Sequence, residues 1–89
     1  MADAAYRVQG RVQGVGFRWW VRAQATRLGL AGTVRNRDDG SVEVHLRGPA
    51  SAVASMRDLL SHGPPGARVD AVEEHPFAEL PSDAFTIVR

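Results

Sequence analysis

The stretch YRVQGRVQGVGFRWWVRAQATRL, residues 6–28, contains the change of hydrophobic period that decides the fold. Over residues 6–12, apolar or small residues alternate with Arg and Gln, which predicts a half-buried β-strand. Beyond a loop that contains two glycines, apolar residues recur at helical spacing and predict a helix over roughly 18–28. Gly29 followed by Leu30 predicts the C-terminal cap of that helix. The chain therefore opens with a strand, a loop and a helix.

Turn-forming residues separate the segments that follow. The DDG sequence at 38–40 predicts a hairpin turn between two strands. A second helix is expected to open at Gly48-Pro49 and to end at Gly63, before two prolines. We expect further strands at 31–35, 41–47, 68–74 and 85–88, with an irregular connection over 75–84.

This order of elements is βαββαβ with a short extra C-terminal strand, which matches the ferredoxin-like split βαβ sandwich of the α+β class. We expect a single domain over residues 1–89, with an antiparallel sheet in the strand order 4-1-3-2 and two helices on one face. In that topology the end of the first strand, the start of the first helix and the end of the second strand lie at one sheet edge. Arg18 and Asn36 can therefore face a shared site.

Composition limits the classes of protein that the chain can belong to. The 89 residues are 44% hydrophobic and 24% charged, which is typical of a globular domain and not of a disordered chain or a membrane span. There is no cysteine, so a disulfide framework, a thiolate zinc site and a cysteine nucleophile are excluded. Residues 1–6 contain no apolar run, so we expect no signal peptide or anchor and a cytoplasmic location. Residues 1–47 hold eight Arg against four acidic residues, and this half should attract anions.

The loop VQGVGFR, residues 12–18, has the features of an anion site. Gly14 and Gly16 permit backbone conformations in which successive N–H groups point inward, beside the free N–H groups of a helix start. Arg18 at a helix N-terminus opposes the helix dipole at a cost of about 0.3–1 kcal/mol, which a bound anion would offset. Taken alone, the loop is a weak motif, and a tight structural turn with a solvated arginine also explains it. Asn36 likewise fits the ordinary role of Asn at a strand end.

Five segments of the chain, in their order and spacing, resemble the acylphosphatase family. They are VQGRVQGVGFR at 8–18, LGLAG at 28–32, VRN at 34–36, DGSVEV at 39–44 and GPPGARVD at 63–70. The resemblance implies a hydrolase that cleaves the carboxyl-phosphate bond of small-molecule acyl phosphates to a carboxylate and inorganic phosphate. It also implies that no metal and no cofactor takes part.

The resemblance implies roles for individual residues as well. Arg18 corresponds to the arginine that binds the phosphoryl oxygens, and Asn36 to the asparagine that holds the attacking water. The backbone amides of Val15, Gly16, Phe17 and Arg18 would complete the phosphate-binding loop. Because the motif contains no His, Asp or Glu, the phosphate of the substrate is expected to accept the proton of the water.

Residues outside the phosphate-binding loop have other candidate roles. Thr33 stands where the family usually has an aromatic residue; by alternation it lies on the strand face opposite Asn36, so we expect altered packing and not lost chemistry. Trp19 and Trp20 could cap a substrate pocket, but consecutive helix positions favour a core role for Trp20. The histidines, His45 included, lack metal-ligand spacing and are expected at the surface.

Two other functions fit the sequence in part. RNA-binding RRM domains share the βαββαβ order, but the third strand here, SVEVHLR at 41–47, lacks the aromatic residues that such a sheet uses. Acylphosphatase-like domains also occur fused to hydrogenase-maturation carbamoyltransferases, where the same site would handle carbamoyl phosphate. We expect stand-alone hydrolysis by a monomer, with no nucleic-acid partner and no membrane partner.

Overall fold

The structure, a computed structural model, describes residues 1–75 and 84–88. Its elements follow the predicted order, and most of the predicted connection over 75–84 lies outside the described residues. The first strand begins earlier than its alternation predicted, because Ala2 already pairs with Gly48. Neither helix of this described part has the length and apolar character needed to cross a membrane. The elements are β1 (Ala2–Arg11), α1 (Phe17–Arg27), β2 (Ala31–Asn36), β3 (Val42–Gly48), α2 (Ala50–His62), β4 (Arg68–Glu74) and β5 (Phe85–Val88).

The strands form one sheet in the order β4-β1-β3-β2-β5, so the predicted order of the first four strands is confirmed. These four pair in antiparallel fashion, as predicted. β5 pairs in parallel with β2, from Gly32 opposite Phe85 to Arg35 opposite Val88, and the complete sheet is therefore mixed. The sequence predicted a fifth strand but did not assign its neighbour.

Both helices pack on one face of the sheet around a continuous hydrophobic core. In β3, Val42, Val44 and Leu46 are fully buried there, because alternate residues of a strand point to the same side. The helices contribute Phe17, Val21 and Ala25 from α1 and Val53, Met56 and Leu60 from α2. Each large side chain buried in this way stabilises the fold by about 1.5–3 kcal/mol. This packing holds the N-terminus of α1 in a fixed position against the sheet.

α1 ends in a Schellman motif, as the position of Gly29 predicted. Gly29 has a φ of 73°, and its N–H donates to the carbonyl of Thr26 at 3.1 Å. The N–H of Leu30 donates to the carbonyl of Ala25 at 2.9 Å, which completes the motif. Leu30 is buried, and β2 begins at the next residue, Ala31.

The sheet face opposite the helices carries a buried charged cluster centred on Glu43. The sequence predicted a surface position for His45, but Glu43 and His45 are only 6% and 5% exposed. The Glu43 carboxylate accepts hydrogen bonds from His45 and Arg37, and Arg35 Nη2 lies 3.3 Å from its Oε1. The predicted surface position of His45 is therefore wrong. The ring is buried, and the Glu43 carboxylate provides a hydrogen-bond partner for its Nε2 inside the protein. Thr33 lies half-buried beside His45 on this face, as alternation predicted.

The same contacts keep Glu43 ionised. Burial alone would raise the pKa of the Glu43 carboxyl, but hydrogen bonds from His45 and Arg37 and the charge of Arg35 outweigh it and lower the pKa from 4.5 to about 2. A carboxyl whose pKa is lower in the folded state stabilises the fold above its unfolded pKa and loses that contribution as the pH falls. The loss for Glu43 therefore occurs between pH 4.5 and about pH 2.

We expect Glu43→Gln to lower the free energy of unfolding at neutral pH by about 1–3 kcal/mol, because it removes the charged acceptor of the cluster. The difference from wild type should shrink as the pH falls below 4.5, where the wild-type contribution is also lost. Urea unfolding, followed by circular dichroism at neutral pH and at about pH 3, measures this. Glu74→Gln, at an exposed position of β4, is the control. An equal deficit at both pH values would contradict the assignment.

Candidate active site

The loop between β1 and α1 presents an uncapped helix N-terminus. Gly14 and Gly16 have φ angles of 76° and 77°, in the left-handed region that favours glycine. The first hydrogen bond of α1 runs from the Trp20 N–H to the Gly16 carbonyl at 3.0 Å, so the amides of residues 16–19 have no acceptor within the helix. No side chain caps this end, and the first turn contains no acidic residue. Free N–H groups and the helix dipole therefore favour an anion here.

The register of β3 brings the end of β2 to this loop. Val42 of β3 lies opposite Val8 of β1 on one side and opposite Asn36 of β2 on the other. β1 and β2 are both antiparallel to β3, so they run in the same direction and end at the same edge of the sheet. Asn36 is the last residue of β2 at that edge.

Arg18 and Asn36 line one cavity of about 200 Å³. Arg18 is half-buried and Asn36 is exposed. Three of the four predicted amide donors, Gly16, Phe17 and Arg18 itself, line this cavity, whereas Val15 is not part of its walls and packs partly against the core. The structure thus brings together the two side chains that the sequence singled out. The remaining walls are formed by Val12, Gly14 and Trp19.

Among the described residues, the cavity wall has a single positive side chain. Arg18 is the only charged residue there, and this part of the wall contains no carboxylate, imidazole or thiol. Within residues 1–75 and 84–88, Arg18 forms no ion pair, although many other arginines do. The paired ones are Arg7, Arg35, Arg37, Arg47 and Arg68. Over those two ranges, no group of three or more His, Cys, Asp or Glu side chains could hold a metal ion.

Gln13 ties the loop to the hairpin that follows Asn36, a role that sequence reasoning missed. Its Nε2 donates to the carbonyl oxygens of Arg37 and Ser41, each at 2.8 Å. One side-chain amide therefore joins the segment before α1 to both sides of the β2–β3 turn. The signal in the sequence was an amide residue next to Gly14, in a loop that was already predicted to lie beside the end of β2.

The β2–β3 turn is held by its own hydrogen bonds. The Arg37 N–H donates to the Ser41 carbonyl at 2.8 Å, and Asp39 Oδ1 accepts from the Ser41 N–H at 3.0 Å. Hydrogen bonds from the hydroxyl and the N–H of Ser41 lower the pKa of the Asp39 carboxyl. Asp39 thus stabilises the turn, and the turn presents the backbone carbonyls of Arg37 and Ser41 to Gln13 in a fixed position.

The two tryptophans at the start of α1 have different surroundings. Trp20 is half-buried and packs on Phe17 with ring centroids 5.5 Å apart, which agrees with the predicted core role. Trp19 is 56% exposed and forms part of the cavity wall. The sequence raised a capping role for Trp19 and placed Gly14 in the anion-binding loop, but spacing alone could not say which exposed residues border a cavity.

Comparison with known proteins identifies the family. A protein-family model described as acylphosphatase matches residues 4–87. This chain belongs to the acylphosphatase family. An acylphosphatase of Nitrobacter hamburgensis is 61% identical over 71 residues, which cover 80% of this chain and 72% of that protein. The crystal structure of acylphosphatase from Bacillus subtilis has a TM-score of 0.90 at 39% identity and covers all of both chains. As an acylphosphatase, the protein is a hydrolase that acts on acyl phosphates.

The same fold also occurs within a much longer protein. The crystal structure of T. kodakarensis HypF matches all of this acylphosphatase chain but only 12% of its own, with a TM-score of 0.86 and 30% identity. The similarity shows that the fold is used in more than one protein context.

We expect Gln13→Ala to lower kcat/KM of this acylphosphatase about tenfold or more, because loss of its two hydrogen bonds lets the loop move relative to Asn36. Hydrolysis of an acyl phosphate, measured beside the melting temperature of each variant, separates loss of positioning from loss of fold. Gln24→Ala is the matched control, because within the described residues the Gln24 side chain bonds only to Arg27 on the same helix. Full activity of Gln13→Ala would contradict a positioning role.

Proposed function

We propose that this acylphosphatase cleaves the carboxyl-phosphate bond without a metal ion, using Arg18 and the loop amides to bind phosphate and Asn36 to hold the attacking water. The observation that carries the proposal is the common cavity of Arg18 and Asn36 at an uncapped helix N-terminus. Arg18 has no carboxylate partner among the described residues, so its guanidinium is available to a ligand.

Phosphate binding follows from the charges and donors of the loop. A guanidinium presents parallel N–H groups that match two oxygens of a phosphoryl group. The amides of Gly16, Phe17 and Arg18, which line the cavity, add further donors at the positive end of the helix. The amide of Val15, which precedes them outside the cavity wall, is the fourth donor of the proposed loop. A bound dianion would offset the repulsion between Arg18 and the helix dipole, which is worth about 0.3–1 kcal/mol. Removal of this repulsion therefore adds to the free energy of phosphate binding.

The chemical step needs few groups from the protein. The oxygen of a water held by Asn36 attacks phosphorus in line with the leaving group, and the phosphorus–oxygen bond to the acyl group breaks. The electrons of that bond leave with the carboxylate, and one proton of the water passes to a phosphate oxygen. The products are a carboxylate and dihydrogen phosphate. A carboxylate with a pKa of about 4 departs without a proton, so no general acid is required.

Metal independence rests on the charge that the chain itself supplies. Charge that develops on the equatorial phosphoryl oxygens is stabilised by donors already oriented towards them, which is the task that metal ions perform in other phosphoryl-transfer enzymes. Arg18 and the amides at the start of α1 supply these donors. Asn36 supplies a neutral amide that can accept from and donate to water.

We expect Arg18→Gln and Asn36→Ala each to lower kcat/KM by about 10²–10³-fold with the fold intact, the usual cost of losing one transition-state donor. Hydrolysis of benzoyl phosphate, with circular dichroism of each variant, measures this. Arg27→Gln is the matched control for charge, because Arg27 is an exposed residue of the last turn of the same helix. Near-normal turnover in either site variant would refute the role assigned to that residue.

Hydrolysis should persist at full rate after dialysis against EDTA and in its presence, because no step uses a metal ion. The measurement is the initial rate with benzoyl phosphate before and after chelation. A rate lost to EDTA and restored by Mg²⁺ or Zn²⁺ would contradict the mechanism.

The cytoplasmic location, the monomeric state and the lack of a nucleic-acid or membrane partner stay predictions from the sequence. Gel filtration tests the monomeric state, and RNA-binding assays test the lack of a nucleic-acid partner. Tight RNA binding that weakens steeply with salt, in the absence of hydrolysis, would favour the RNA-binding alternative.

A further inference from the structure

Trp19 is a large apolar side chain exposed to solvent at the wall of the active-site cavity. It is 56% exposed, and in the described part of the chain the only other exposed large hydrophobic residue is Met1. Trp20, the next residue, packs on Phe17. Packing within the protein therefore accounts for Trp20 but not for Trp19.

Arg22 holds the Trp19 ring from one side. The guanidinium carbon of Arg22 lies 5.8 Å from the centroid of the Trp19 ring. The two residues are three positions apart on α1, where side chains are neighbours on the helix surface. A cation over an aromatic face is attracted by its quadrupole and restricts the ring to fewer orientations. The indole is thus partly ordered before any ligand binds.

The walls of the cavity divide into a phosphoryl end and an apolar part. The phosphoryl end consists of Arg18, Asn36 and the loop amides. Of the apolar walls, Val12 and Phe17 are only 1% and 2% exposed, and the glycines have no side chain. Among the described wall residues, Trp19 therefore provides the accessible apolar surface of the cavity that holds Arg18 and Asn36.

We propose that Trp19 is a specificity-determining residue: a planar aromatic acyl group packs against its ring, so that aromatic acyl phosphates are favoured over short aliphatic ones. This inference rests on the proposed function, because it concerns the acyl end of the same bound substrate. Aromatic contacts of this kind change affinity by a factor of about 2 to 13. The contact exists equally before and during the chemical step, so it acts on KM more than on kcat.

The first experiment compares kcat/KM for benzoyl phosphate and acetyl phosphate in wild type, Trp19→Ala and Trp19→Phe. We expect Trp19→Ala to lower the benzoyl-to-acetyl ratio by about fivefold, mainly through a higher KM for benzoyl phosphate. Trp19→Phe should retain most of the ratio, because it keeps an aromatic ring. Arg27→Ala, an exposed helix variant outside the cavity, controls for surface effects on the ratio. An unchanged ratio in Trp19→Ala would overturn the proposal.

The second experiment measures binding without turnover. The chain has two tryptophans, so Trp20→Phe leaves Trp19 as the sole indole. Titration of this variant with benzoylphosphonate, a non-hydrolysable analogue, should change the Trp19 emission more than titration with acetylphosphonate to equal saturation. Equal changes for the two ligands would again overturn the proposal.

The two experiments separate this inference from the function on which it rests. If wild type hydrolyses both acyl phosphates and the ratio does not depend on Trp19, only the role of Trp19 fails. If wild type hydrolyses neither, the proposed function fails, and the phosphonate titration still reports whether an aromatic ligand contacts Trp19.

Discussion

β3 pairs with a strand on each side, and the positions of the site residues depend on that double pairing. Val42 lies between Val8 and Asn36, so the end of β2 keeps a fixed distance from β1 and the loop that follows it. The hydrophobic core specifies this register, because a slip of one residue would turn the apolar side of β3 away from the helices. Gln13 adds a short-range tie at the same edge. Core packing and site geometry are therefore consequences of one alternating strand.

Arginine side chains have different partners on the sheet face opposite the helices and at the end of the sheet beside the β1–α1 loop. On the face opposite the helices, Arg35 and Arg37 are paired with Glu43, which stays ionised because its pKa is lowered to about 2. Each of these guanidinium groups therefore lies beside a carboxylate of the protein. At the edge, Arg18 lies beside the positive end of a helix and has no carboxylate partner in the described ranges. Arg18 thus adds a positive charge to a helix N-terminus whose free N–H groups already favour an anion.

Periodicity and topology were enough to predict the order of the elements along the chain and the order of the first four strands in the sheet. They also predicted that Arg18 and Asn36 lie close together. These features depend on local spacing and on general rules of chain crossing. The parallel partner of β5 and the burial of His45 were not predictable, because both depend on what lies beside a strand and not on its own pattern. Gln13 was missed for a related reason: its two acceptors are backbone carbonyls, which every residue has. A sequence gives no sign of which carbonyl will be used.

The parallel pairing of β5 with β2 also affects how the molecule meets other molecules. A strand with an unpaired edge can accept a strand of another chain and so begin aggregation. β2, which ends in Asn36, is paired on both sides and offers no such edge. In the part of the chain that the structure describes, the outer strands are β5, with four residues, and β4, where four of the seven residues in RVDAVEE are charged. Short and charged edges discourage intermolecular pairing, so the strand that carries the site is kept out of that reaction.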